Sequence, residues 1–166
     1  MKRATAREHY KAATYRAQTN IGYLMKRAHS MLVDLVEPVL EAHGLNFVQY
    51  AILMILRDGA PLNPTTICRL YRHDSGALTR VIDQLTESGL VERVRHDRDR
   101  RKVELQLTTA GCKKIEELLP AIVAILNETL GNFSATDLQE LTRLLIKLNE
   151  HLQVAVEPNT VEDIGS

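Results

Sequence analysis

Apolar positions along this chain recur first at helical spacing, then at strand spacing, then at helical spacing again. Ile21, Leu24, Met25, Ala28, Leu32, Leu35 and Val39 predict a long first helix that ends at Gly44 and carries Pro38 as an internal kink. Asn46 and Gln49 have the reciprocal spacing of a capping box, so a second helix is expected through Tyr50, Leu53 and Leu56 to Asp58-Gly59. Asn63-Pro64 supplies an N-cap and a first helical proline for a short third helix with Ile67 and Leu70 inward, after which Tyr71-Arg72-His73 turns the chain. A fourth helix lies between Asp74 as N-cap and Gly89 just past its end, with Leu78, Val81, Ile82 and Leu85 at i, i+3, i+4 and i+7. The period then changes to two. Leu90, Val91 and Val94, followed by Val103, Leu105 and Leu107, read as two half-buried strands. Helical spacing resumes after Thr108, a cap for Ile115, Leu118, Leu119, Ile122 and Leu126, with a bend expected at Pro120. Ser134 with Asp137 opens a last helix, where Leu138, Leu141, Leu145, Leu148 and Leu152 form one stripe with Leu144 beside it.

Two helices joined by a short turn and followed by a β-ribbon make a winged helix-turn-helix, so the expected fold class is mainly α with a small β-wing, flanked by N- and C-terminal helices. Charge sharpens this picture. The whole chain is neutral, yet Arg93, Arg95, Arg98, Arg100, Arg101 and Lys102 stand against only Asp97 and Asp99 within ten residues, placing the cations on the turn that joins the strands. Such a concentration suits a polyanion, although a charge run by itself also fits a solvated hairpin tip. The fourth helix favours the first reading. Its polar face carries Ser75, Gly76, Thr79, Arg80 and Asp83. Small residues at its start allow close approach to base edges, hydroxyls serve donor or acceptor positions, and Arg80 can pair bidentately with guanine in the major groove.

These residues resemble the MarR family of bacterial transcriptional regulators. The likeness rests on Ser75, Thr79 and Leu85 in the helix, on Gly89-Leu90-Val91 with Arg93, on the wing signature Asp99-Arg100-Arg101, and on Leu107-Thr108 with Gly111; it extends from about Thr19 to Leu152. The resemblance implies a wing arginine in the minor groove, a role that falls to Arg100 or Arg98, with Asp99 and Arg101 bracing the wing. It also implies a homodimer paired through terminal helices, and a small aromatic acid or phenolic effector held between those helices and the DNA lobe. Positions resembling the pocket wall are Tyr23, Lys26 and His29 on the first helix and Tyr50 and Met54 on the second. Tyr23 and Lys26 share a helix face, so a phenol and an ammonium can together hold a carboxylate; core aromatics beside a solvated lysine fit the same spacing.

Composition bounds the rest. A chain of 166 residues with 45% hydrophobic and 25% charged content is ordinary for a globular protein, and no apolar run reaches the ~18 residues a membrane helix needs. A cytoplasmic protein is expected, with no membrane partner and no cofactor. The organisation expected is a basic, flexible arm over residues 1–18, a helical dimerisation region over 19–45 and 112–155, a winged helix-turn-helix domain over 46–111, and a disordered tail over 156–166. The first 27 residues carry net +6 and residues 116–166 net −7, so the overall neutrality conceals segregation. One small domain cannot easily bury the first helix, the penultimate helix and the leucine stripe together; packing against a second copy resolves this, and a purely intramolecular helical core is the competing solution. A two-fold dimer would read an inverted repeat with half-sites about 10 bp apart. Ligand binding would then release DNA by changing the spacing between the recognition helices.

Other function classes find less support. Cys68 lies beside Arg69 and Arg72, which would favour a thiolate and a redox switch, but its place between Ile67 and Leu70 equally suits a small core residue. Cys112 is the only other cysteine, and the six histidines are scattered, so no metal site is expected. Gly-x-Ser-x-Gly, His-Glu-x-x-His and phosphate-cradling glycine loops are absent, which argues against an enzyme. A winged helix used only for protein contacts is the remaining alternative, and the cationic wing argues against it.

Overall fold

The computed structural model describes residues 8–59, 61–71, 75–96 and 99–156. Among the described residues, six α-helices and one ribbon follow in the order α1 (Ile21–Ala42), α2 (Phe47–Gly59), α3 (Pro64–Tyr71), α4 (Ser75–Glu87), β1 (Val91–His96), β2 (Asp99–Leu107), α5 (Thr109–Thr129) and α6 (Ala135–Val156). The chain divides into two compact units, Met1–Ile125 and Leu126–Ser166. The architecture is the mainly helical winged fold expected from the periodicity.

Helix ends follow from local chemistry. α1 and α4 both stop at a glycine in the left-handed region, Gly44 (φ 74°) and Gly89 (φ 71°). In each case the amide of the next residue reaches back five positions, Leu45 to the Leu40 carbonyl at 2.9 Å and Leu90 to the Leu85 carbonyl at 3.0 Å, closing a Schellman motif that only a residue tolerant of positive φ can form cheaply. The starts are capped by side chains. Asn46 and Gln49 exchange bonds at 2.9 and 3.0 Å, Asn63 Oδ1 accepts from the Thr66 amide at 2.8 Å, and Thr108 Oγ1 accepts from the Gly111 amide at 3.0 Å. The Asp74 cap expected for α4 lies outside the described residues, as do Arg72 and His73 of the preceding turn.

The core of the first unit gathers Val36 and Leu40 of α1, Ile52, Leu53 and Leu56 of α2, Ile67 of α3, the Leu78, Ile82 and Leu85 face of α4, Val91 and Leu105 of the ribbon, and Ile115, Leu118 and Ile122 of α5. Each fully buried leucine or isoleucine contributes about 1.5–3 kcal/mol relative to exposure. Leu70 departs from expectation: it is 55% exposed. Tyr71, four residues after Ile67, follows it inward instead, because i+4 returns closer to the same helix face than i+3 in a segment only two turns long, and burial raises the Tyr71 phenol pKa.

β1 and β2 pair antiparallel from Val91↔Leu107 to Arg95↔Val103, with an irregularity between Arg95 and His96. Strand alternation puts Arg93 on the same face as Val91 and Leu105, the face turned toward the helices. Leu62, in the connection between α2 and α3, adds two bonds to Leu105 at 3.1 and 2.8 Å and so extends the ribbon on its β2 side. The strands run to His96 and resume at Asp99, so Arg93, Arg95, Arg100, Arg101 and Lys102 belong to strands. This corrects the expectation that the cations sit on the turn. The strands run on beyond the regular ladder, and Arg100, Arg101 and Lys102 fall in the irregularity between the Arg95↔Val103 and His96↔Asp99 pairs.

The wing returns into α5 through a tight joint. Thr108 donates its amide to the Leu90 carbonyl at 3.1 Å and its hydroxyl to the Gly89 carbonyl at 2.7 Å. One turn later, a Cβ on Gly111 would stand 2.1 Å from the Leu90 carbonyl oxygen, so no larger residue fits there without displacing backbone. Before α1, residues 8–20 form two single 3-10 turns, Ala12–Thr14 and Ala17–Thr19. There the Tyr10 hydroxyl accepts from the Ile21 amide at 3.3 Å, and Tyr10 and Tyr15 meet edge to face at 5.5 Å. In the second unit Ser134 and Asp137 form the capping box of α6, the Ser134 amide donating to Asp137 Oδ2 at 3.0 Å and the Asp137 amide to Ser134 Oγ at 3.1 Å.

Candidate nucleic-acid interface

On α4 the apolar positions Leu78, Ile82 and Leu85 are buried to 2% exposure or less. The opposite face is therefore left to solvent: Gly76, Thr79 and Arg80 are exposed, and Asp83 is partly so. At 100° per residue these four positions fall within about one quarter of the helix circumference. Ser75 is the first residue of α4, but its side chain lies outside the described set. The same holds for Asp99, Arg100 and Arg101, whose backbones form the start of β2, while Arg98 lies wholly outside the described residues.

Helix and wing are tied together by a charged hydrogen bond from the Arg93 guanidinium to Asp83 Oδ1. This link escaped the sequence reading, although Asp83 on the polar helix face and Arg93 on the inner strand face were its signal. The bond pairs the Asp83 carboxylate, on the exposed arc of α4, and directs Arg93 to the helix, while Glu87 stands exposed on the same arc one turn further on. The arc also carries the Arg80 cation, a donor to base edges and phosphates.

The five positions compared with a pocket wall are placed differently from one another. His29 of α1 meets the Phe47 ring edge to face at 5.5 Å, and Phe47 lies 6.3 Å from the Tyr50 ring, so Phe47 joins two of the five. Burial pushes the Tyr50 phenol above its ordinary value, opposed by the Arg57 guanidinium and reinforced by Asp58. Met54 is half-buried on α2, whereas Tyr23 and Lys26 are exposed on α1. Phe47 was missed because it directly follows the Asn46 cap; its i, i+3 relation to Tyr50 was the available clue. Elsewhere, an open groove of about 670 Å³ lies between the start of α3 and β2, bordered by Asn63, Thr65, Thr66, Arg69, Val103 and Glu104. Cys68 is partly buried on α3 and Cys112 exposed at the start of α5. Among the described residues no three potential metal ligands converge, and no single helix is long and apolar enough to cross a membrane.

Comparison with known proteins agrees with this geometry. A sequence model of the MarR family matches residues 43–102. The transcriptional repressor MprA of Escherichia coli is 30% identical over 132 residues, covering 78% of this chain and 74% of that protein. Among solved structures, a mutant MarR from E. coli complexed with operator DNA superposes with a TM-score of 0.68 at 28% identity, over 77% of this chain and 92% of that one. A structure of Bordetella bronchiseptica BpsR, concerned with regulation of its DNA binding by 6-hydroxynicotinic acid, superposes with a TM-score of 0.70 at 25% identity, over 81% and 96% respectively.

Proposed function

Because the chain belongs to the MarR family of bacterial transcriptional regulators, we propose that it is a homodimeric, cytoplasmic repressor that binds an inverted-repeat operator and is released by a small aromatic acid or phenol. The observation that carries this reading is the exposed Gly76, Thr79 and Arg80 arc of α4 held to a cationic wing by Asp83 and Arg93. Ser75, Thr79 and Arg80 read bases, while Arg98 and Arg100 take minor-groove and phosphate contacts, with Asp99 and Arg101 shaping the wing.

Dimerisation is supported by apolar surface that a lone chain leaves in water. On α1, Ile21, Leu24, Met31, Leu32 and Leu35 are each at least 37% exposed; on α6 the same is true of Leu141, Leu144, Leu145, Ile146 and Leu152. Helix stripes of this kind mark association surfaces. Residues 19–45 and 112–155 are accordingly the dimerisation region and 46–111 the DNA-binding domain. The effector reading rests on the His29, Phe47 and Tyr50 rings, with Tyr23, Lys26 and Met54 nearby in sequence, and on the aromatic acid named for BpsR. The family is one of transcriptional regulators and is non-enzymatic.

The test is DNA binding to the intergenic region upstream of the protein's own gene at one fixed salt concentration, titrated with benzoates, hydroxybenzoates and hydroxycinnamates. Tight binding released by one compound supports the whole reading. Tight binding unaffected by any compound removes the aromatic effector, and binding equal to that of random DNA removes the operator.

A further inference from the structure

We propose that Gln49 is a positioning residue for the recognition helix, fixing the rotation of α4 through a side-chain bridge to Gln84; this rests on the DNA-binding reading of α4. Gln49 stands at the start of α2. Its Oε1 accepts from the Asn46 amide at 3.0 Å, and its own amide donates to Asn46 Oδ1 at 2.9 Å. The capping box therefore decides which way the Gln49 carboxamide faces: its oxygen must turn back to the cap, and its NH2 must turn away. That NH2 donates to Gln84 Oε1 of α4 at 3.3 Å. A bond between two glutamines normally has no preferred sense, but here the capping box sets it.

The same end of α2 is gripped from the other side. The Phe47 amide, one of the donors that every helix start leaves unsatisfied, donates to Glu37 Oε2 of α1 at 3.1 Å, and the Phe47 ring receives His29 of α1. α1, the start of α2 and the last turns of α4 are thus joined in one polar series. Its value to α4 is directional. The Leu78, Ile82 and Leu85 face rests on apolar neighbours, which resist withdrawal more than rotation about the helix axis. Rotation is opposed at the polar edges, by Asp83 with Arg93 and by the adjacent Gln84 with Gln49. A 10° rotation would carry a side-chain tip about 6 Å from the axis through about 1 Å, enough to spoil a bidentate hydrogen bond.

The experiment is a double-mutant cycle of Gln49→Met and Gln84→Met, with Gln49→Glu as the conservative control, since a carboxylate keeps the capping acceptor and lets the Gln84 amide turn over to donate. Each Met variant is expected to lower the ratio of operator to random-DNA affinity by about three- to tenfold, the range one ordinary hydrogen bond supplies. The double variant should be no worse than the more impaired single, and Gln49→Glu should keep the ratio within about twofold. Additive losses would show two independent roles and overturn the bridge; so would an unchanged ratio in either Met variant. Hydrogen exchange of the α4 amides without DNA gives the second readout. Exchange should quicken in both Met variants and remain slow in Gln49→Glu, and unchanged exchange overturns the proposal. A wild-type protein with no operator preference would refute the regulator reading, and the exchange result would still decide the bridge.

Discussion

Asp83 on α4, the proposed recognition helix, and Arg93 on the first wing strand form a charged hydrogen bond between helix and wing, each side chain 46% exposed. Partial exposure limits its worth to stability to about 1 kcal/mol or less. On the proposed DNA-binding reading its importance is orientational, since it fixes the angle between the wing and the helix. Asp83→Asn is expected to leave the melting temperature nearly unchanged. Random-DNA binding should hold or rise slightly because a negative charge is removed, while the preference for the operator falls. Parallel thermal melts and DNA titrations check this, and a preference equal to wild type would count against the orienting role.

The proposed reading gives Arg80 and Arg100 two different kinds of contact. Arg80→Ala should cost about 1–3 kcal/mol on the operator and little on random DNA, as expected for a base-reading guanidinium. Arg100→Ala should weaken both DNAs and reduce the salt slope by about one if it meets phosphate. Binding isotherms at several salt concentrations distinguish the outcomes.

Gly111 offers a test of the joint between wing and α5. A methyl group there would collide with the Leu90 carbonyl, which itself accepts the Thr108 amide and cannot withdraw without losing that bond. Gly111→Ala should therefore destabilise the fold by about 1–3 kcal/mol despite the better helix propensity of alanine, and urea unfolding would measure it.

The capping box of α6 supplies a pH dependence. Hydrogen bonds from the Ser134 side chain and then its backbone lower the Asp137 pKa. A carboxyl with a depressed folded pKa contributes stability above its unfolded pKa and loses it as pH falls through the folded value. Asp137→Asn should thus lower stability at neutral pH, where the carboxylate is charged, and flatten the acid limb, so that the two proteins converge as pH falls from the ordinary carboxylate range downward. Thermal melts from pH 7 downward would show it.

What sequence revealed and what it concealed divide by range. Gly44, Gly89, Asn46, Asn63, Thr108 and Ser134 act on residues three to five positions away, so their spacing in the chain already contained the helix boundaries. The exposed arc of α4 was legible for the same reason, being the complement of Leu78, Ile82 and Leu85. Contacts that join distant segments were not. Leu62 with Leu105, Asp83 with Arg93 and Gln49 with Gln84 depend on how elements meet, and periodicity carries no record of that. Leu70 was misplaced for a subtler reason: two turns of helix contain too few apolar positions to distinguish i+3 from i+4, and Tyr71 claimed the buried side.

Thr108 is the whole of the connection between Leu107 at the end of the wing and Thr109 at the start of α5, and both its amide and its hydroxyl donate to the two residues just before β1, Leu90 and Gly89. The ribbon and the helix are therefore locked in phase, like two gears sharing one tooth. A single residue inserted at this point would advance α5 by 100° and swing Ile115, Leu118 and Ile122 out of the core, whatever residue was inserted. Length variation tolerated in most surface connections is forbidden here, so any change in wing length must be accommodated at its tip.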